Sequence, residues 1–392
     1  MKILYLEWNS YGNEDMRLAF EEGGYHVVLC PFYQGIRATQ EDANKSVLKC
    51  LKEEHFDFVF SFNYMPVVSV CCQEMQVPYV AWVYDSPYIH VYSYTVLNAC
   101  NYIFLFDYAV YEELHNAGIS TVYYLPLAIN EKRLEMLQSS AEEKKKYGAD
   151  ISFVGSLYNE EKHHLFERSK VLTQYTKGYL DAIVQAQKQV YGHNFLKDML
   201  SSEIVEQLQQ VYPTDPNAST VMTPEAIYAD YILSRQVTTL ERGEILELIG
   251  EVFHGYQVKL FTNNTQAQFP GVINMGRVDY YKEMPHVFAN SKINLNISLR
   301  SIKTGIPLRV FDIMGAGGFL ITNYQPELLE YFVPDEDLVI YYDYQDLVDK
   351  IAYYLEHEEE RVRIAENGMK KVRECYTMGN RIKEIESILF EQ

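Results

Sequence analysis

Short apolar runs, each followed by a helical pattern, set the strongest limit on how this chain can fold. Lys2–Leu6, His26–Cys30, Phe58–Ser61, Tyr79–Trp82, Tyr102–Phe106 and Thr121–Leu125 read as strands, separated by helical patterns such as Glu14–Glu22 and Gln40–Glu53. Strands apolar on both faces and alternating with helices belong to parallel sheets covered on both sides. The alternation returns at Ile151–Val154, Gln257–Thr262, Val272–Met275, Lys292–Ile297, Phe319–Thr322 and Leu338–Tyr341. From about 160 to 250 the pattern is helical, with a turn-rich break at Tyr212–Ala218. The predicted fold is α/β, with two doubly wound domains facing across a cleft. The second carries a helical insertion, and a last helical pattern over Glu358–Phe390 is interrupted around Tyr376–Gly379.

A chain of 392 residues exceeds the size at which one core keeps growing. The charged run Glu142–Lys146 with Tyr147-Gly148 marks the expected boundary. It gives an N-terminal domain over 1–148, a second over 149–375, and a helix over 376–392 crossing back to the first. A formal net charge of −20 excludes a general nucleic-acid binder, because nothing offsets phosphate repulsion. A local basic pocket for a small anion remains compatible with it. Six cysteines are dispersed without metal or disulfide spacing, so reduced thiols are expected. The opening MKILYLEWNS is broken by Glu7 and too short for a signal peptide, and no run has membrane-spanning length. A cytoplasmic location is the expectation. The 34 tyrosines offer flat apolar faces with hydroxyls, which suit sugars and bases.

The segment Thr304–Phe332 carries the most chemistry. It reads as a loop, a helix starting near Pro307, a Gly317-Gly318 stop and a buried strand. Unpaired N–H groups and the positive dipole end of a helix suit a diphosphate. Arg309 and Asp312, three apart, share one helix face. The cation suits a phosphate and the carboxylate suits two sugar hydroxyls. An amphipathic helix bearing a surface ion pair is the competing reading.

These residues resemble a known family. From Asp150 to about Arg381 the chain is similar to the CgeB-like (spore-maturation-protein type) glycosyltransferases of the group-one glycosyltransferases. The likeness rests on ISFVGSLYN, VTTLERGEIL, INMGRVDYYKEMPHVFANSKINLNIS and above all LRVFDIMGAGGFLITNYQPELLEYF. The first half resembles the domain paired with it through DFVFSFNYMPVVS and VPYVAWVYDSP. The resemblance implies a GT-B architecture of two Rossmann-like domains, with a nucleotide-diphosphate sugar, a UDP-sugar foremost, on the C-terminal one. A protein or glycan acceptor would approach from the N-terminal one. It also implies that Asp312 binds the nucleotide ribose. Protein cations and helix N–H groups, rather than a metal ion, would stabilise the leaving diphosphate, and no cofactor is expected. Thr304 stands where the group has a carboxylate, eight residues before Asp312, which leaves the stereochemistry open.

The donor-side candidates are Gly155, Ser156, Arg277, Lys282, Thr304, Gly305, Leu308, Arg309, Asp312 and Gly317. Arg309 is also the first choice to stabilise the leaving group. Asn294, Asn296 and Ser298 alternate with apolar residues, so they either line the crevice or bond each other inside. On the other side Asn9, Ser10, Tyr11, Asn63, Asp85 and Asp107 follow predicted strands, where open α/β sheets bind ligands. Asp85 is the candidate general base, with Glu7 and Asp107 behind it. Asp335-Glu336-Asp337 reads as a solvated turn and the adjacent His163-His164 as exposed residues, neither as a metal site. No GxGxxG, P-loop or Gly-x-Ser-x-Gly motif appears. A nucleotide-sugar epimerase or hydrolase and a non-catalytic sugar- or partner-binding module remain the alternatives.

Overall fold

The structure, a computed structural model, describes residues 1–8, 10–31, 40–159, 171–214 and 220–390. Asn9 and His163-His164 lie outside the described residues. The chain divides into two compact units. The first comprises Met1–Glu131, Ser219–Met222 and Cys375–Gln392, and the second Lys132–Ala218 and Thr223–Glu374.

The first unit runs β1 (Lys2–Glu7), α1 (Asn13–Glu22), β2 (His26–Pro31), α2 (Gln40–Glu53), β3 (Phe58–Phe62), α3 (Pro66–Met75), β4 (Tyr79–Val83), β5 (Asn101–Leu105), α4 (Tyr108–Asn116) and β6 (Val122–Tyr124). Its sheet has the order β2-β1-β3-β4-β5-β6 and every pair is parallel. β3 and β4 are buried along their whole length, as strands apolar on both faces must be. The order reverses between β1 and β3.

The second unit opens with α5 (Glu131–Glu135), whose first residue closes the first unit, and α6 (Ala141–Tyr147). The charged run is this second helix, started by a Ser140/Glu143 capping box. Then come β7 (Ile151–Val154), α7 (Gln174–Lys188), α8 (Ser202–Val211), α9 (Pro224–Ile227), α10 (Ser234–Val252), β8 (Val258–Phe261), β9 (Val272–Asn274), α11 (Met284–Asn290), β10 (Ile293–Asn296), α12 (Leu308–Gly315), β11 (Leu320–Asn323), α13 (Leu328–Tyr331), β12 (Val339–Tyr341), α14 (Tyr344–Glu356) and α15 (Glu358–Cys375). This sheet is also all parallel, ordered β12-β11-β10-β7-β8-β9, and reverses between β7 and β10. The insertion helices bury a core of their own around Leu180, Val184, Leu196, Leu208 and Val237. α16 (Met378–Phe390) returns to the first unit, where Tyr25 donates to Glu386 and Phe390 meets the Phe58 ring. Among the described residues no helix is long and apolar enough to cross a membrane.

Candidate active site

In a doubly wound sheet, ligands bind outside the carboxyl ends of the strands where the order reverses. In the second unit that point lies between β7 and β10, and Arg242 of α10 spans it. Its Nη1 donates to the Ser156 carbonyl at 2.5 Å, and its Nε and Nη2 both donate to the Ile297 carbonyl, the former at 3.1 Å. The guanidinium also lies over the Phe153 and Tyr158 rings. Burial depresses the pKa of Arg242. Tyr158 and Glu241 oppose that shift, while the nearby Arg309 charge adds to it. A buried cation bonded to carbonyls favours an anion beside it. A Cβ at Gly155 would crowd the Phe153 ring at 3.1 Å but would meet Arg242 Nη1 at an ordinary 3.6 Å. Arg242 lies in VTTLERGEIL, one of the segments that carry the family resemblance, but it was not among the candidate site residues, and the insertion separates it in sequence from Ser156.

α12 begins after Pro307, which offers no side-chain oxygen to cap the first turn. Asp312 is buried and takes Tyr280 Oη at 3.0 Å on one oxygen and Arg309 Nη1 at 3.3 Å on the other. Arg309 also touches Met284 Sδ and lies over Phe288. The expected cation and carboxylate therefore meet on one helix face, and Tyr280, absent from the sequence-based candidates, orients the carboxylate. Arg277 and Lys282 are exposed, beyond the edge strand β9, and it is Tyr280 between them that reaches α12. Thr304 Oγ1 donates to Glu327 Oε1 at 2.7 Å, and Gly305 beside it is buried. Gly317, with φ +80°, ends α12 at the opposite end from Leu308, so helix termination accounts for it. Asn294 bonds Ser152, and Asn296 bonds Ser298 and Thr322, so this polar row is a bonded interior.

A buried ion pair braces the loop after β10. Arg300 donates to Glu241 through Nε at 2.7 Å and Nη2 at 2.8 Å, and to the carbonyls of Lys188 and Val190 at 3.0 Å. Its own carbonyl accepts from Asn194. Burial alone would lower the Arg300 pKa, but the charge and hydrogen bond of Glu241, with Tyr191 and Tyr341, together outweigh it and the net shift is upward.

In the first unit the reversal lies between β1 and β3, and Trp8 spans it, donating Nε1 to the Phe62 carbonyl at 2.9 Å. The Ser10 Oγ is buried there and has no hydrogen-bond partner among the described residues. Asn63 sits at φ +57°, almost fully buried. Its Nδ2 donates to Asp85 Oδ2 at 2.7 Å, and its Oδ1 accepts from the Tyr84 and Asp85 N–H groups. Ser86 Oγ donates to Asp107 Oδ2 at 2.9 Å. These carboxylates edge a small, shallow hollow whose apolar side includes Val91, Phe106 and Val110. Asp85 is exposed, Asp107 is buried, and Glu7 and Tyr11 point outward. Asp335-Glu336-Asp337 forms a turn in which Asp337 pairs with Lys371.

Comparison with known proteins adds to this geometry. Residues 237–387 match the model of a glycosyl transferase-like family. No curated protein sequence matches the chain. Among solved structures, Anabaena Alr3699/HepE in complex with UDP-glucose superposes with a TM-score of 0.56 at 11% identity, covering 100% of both chains. The sucrose-phosphate synthase of Thermosynechococcus elongatus gives 0.54 at 11% identity over 100% of this chain and 99% of that one. A UDP-forming trehalose-phosphate synthase from Burkholderia xenovorans gives 0.54 at 13%, over 99% and 98%. The chain has the GT-B fold, and the matched residues 237–387 include Arg242, Tyr280, Thr304, Arg309, Asp312 and Glu327.

Proposed function

We propose that this protein is a CgeB-like glycosyltransferase that moves a sugar from a UDP-sugar to a hydroxyl of a protein or glycan acceptor in the cytoplasm. The observation that carries the reading is the convergence of Arg309, Asp312 and the uncapped start of α12 with Arg242 at the reversal point of one sheet. As the bond from the anomeric carbon to the diphosphate oxygen breaks, negative charge grows on the leaving UDP. Arg309 and the helix N–H groups meet that charge, with Arg242 beneath, so a metal ion is not required. Asp312, held by Tyr280, takes the ribose hydroxyls. In the first unit Asp85, held by Asn63, takes the proton of the acceptor hydroxyl. The neighbour solved with UDP-glucose supports UDP as the nucleotide.

The test is incubation with UDP-sugars, with and without a panel of protein and glycan acceptors, in the presence of EDTA. Transfer with UDP release in EDTA is expected. An isomerised sugar in the absence of acceptor would replace this reading with an epimerase, and a strict divalent-metal requirement would remove the charge assignment.

A further inference from the structure

Cys30 is the next-to-last residue of β2, and Cys50 lies in the last turn of α2. They are 20 residues apart in the chain, yet the Cys50 thiol donates to Cys30 Sγ at 3.3 Å. An S–S bond is about 2.0 Å long, so the two sulfurs stand roughly 1.3 Å beyond bonding distance. Cysteines elsewhere in this unit turn to oxygen instead. Cys71 Sγ donates to Asn44 Oδ1 at 2.8 Å and Cys100 Sγ to the Ser69 carbonyl at 3.5 Å. Cys30 is 1% exposed whereas Cys50 is half-buried, so of the pair Cys50 is the one a dissolved reagent reaches. Burial pushes the Cys30 thiol up to about 12, and the hydrogen bond and charge of Cys50 add to that shift. A thiol so far above neutrality is a poor first nucleophile.

We propose that Cys30 and Cys50 form a reversible disulfide, a redox-modification site in the first unit whose oxidant is a low-molecular-weight disulfide such as oxidised glutathione. The site is independent of the donor chemistry of the second unit. The Cys50 thiolate attacks one sulfur of the reagent, a mixed disulfide forms, and the first reagent thiolate leaves. Capping removes the Cys50 charge and its hydrogen bond, two of the causes that hold the Cys30 proton in place. Cys30 then gives that proton to water, its sulfur attacks the Cys50 sulfur, and the second reagent thiolate leaves. Two protein thiols are oxidised to one disulfide while one reagent disulfide is reduced to two thiols. The bond staples α2 to β2, the last strand in the order of its sheet. β2 in turn pairs with β1, with Leu6 opposite Cys30 and Glu7 opposite Pro31, directly before Trp8. Oxidation therefore braces the edge of the sheet that leads to the first unit's reversal point.

The experiment holds the folded, full-length protein in glutathione buffers of increasing oxidised fraction, blocks the remaining thiols by alkylation, and maps peptides by mass spectrometry without reduction. The proteins are the wild type, Cys30→Ala and Cys50→Ala. In the wild type the peptides that hold Cys30 and Cys50 are expected to appear joined, with a mass lower by about 2 Da than their sum, and dithiothreitol restores both thiols. Cys30→Ala lacks the thiol that expels glutathione, so the mixed disulfide is expected to persist on Cys50. In Cys50→Ala the Cys30 thiol is expected to stay free. A wild type whose Cys30 remains a thiol in the most oxidising buffer overturns the inference. Cys50 joined to a different cysteine, or a Cys30–Cys50 bond that forms only after unfolding in urea, overturns it as well.

Discussion

The two units solve the same topological problem with opposite chemistry. Each sheet reverses its strand order once, and in each a side chain spans the gap at the carboxyl ends. In the first unit that side chain is the neutral Trp8 indole, and in the second it is the Arg242 guanidinium. Along the carboxyl ends of the first sheet stand Ser10, Asn63, Asp85 and Asp107. The sequence from Glu53 to Glu131, which holds β3 to β6, contains no lysine or arginine. Around Arg242 stand Arg300 and Arg309, each with a carboxylate partner. On the proposed reading, the first side suits hydroxyls that must lose a proton and the second a diphosphate that must gain charge. An overall charge of −20 conceals that division.

Substitutions should separate the two sides. Asp85→Asn is expected to cut transfer by about 10²–10⁴-fold, the range for a general base, with UDP affinity unchanged. Initial rates and calorimetry on the same preparation check it, and loss of UDP binding would move Asp85 to the donor side. Glu241→Ala strands a buried guanidinium, so it should destabilise the protein by about 3–5 kcal/mol in denaturant unfolding. A change below about 1 kcal/mol would mean that the Arg300 brace is solvated, as exposed pairs are. Arg242→Met should lower UDP affinity roughly tenfold, the value of one charge-assisted contact. Retained affinity would leave Arg242 a purely structural tie. Trp8→Phe, which removes one neutral hydrogen bond, should cost about 1 kcal/mol of stability and leave UDP binding intact.

Much of this contrast could be read from the sequence, for local reasons. The strands announced themselves because both faces of a parallel sheet are apolar, and Phe319–Thr322 shifted by only one residue, to Leu320–Asn323. α12 was legible because its apolar spacing and its glycine stop are both local. Pairings between distant residues were not legible. Tyr280 meets Asp312 across 32 residues and Arg242 meets Ser156 across 86, and no periodicity records such contacts. Asn294, Asn296 and Ser298 allowed two readings because a polar strand face looks the same whether it bonds a ligand or its neighbours. The helical insertion was visible as a gap in the strand pattern. Its tie to the loop after β10 depends on Arg300 reaching Glu241 and the Lys188 and Val190 carbonyls, which only the folded chain brings together.

The most direct test of the account is the affinity of UDP for the wild type, Arg309→Ala and Asp312→Ala, measured by calorimetry at fixed ionic strength. Both variants should lose roughly tenfold or more, because each removes a charged partner of the nucleotide. UDP binding unchanged in both would place the nucleotide elsewhere and contradict the assignment of the donor site to α12.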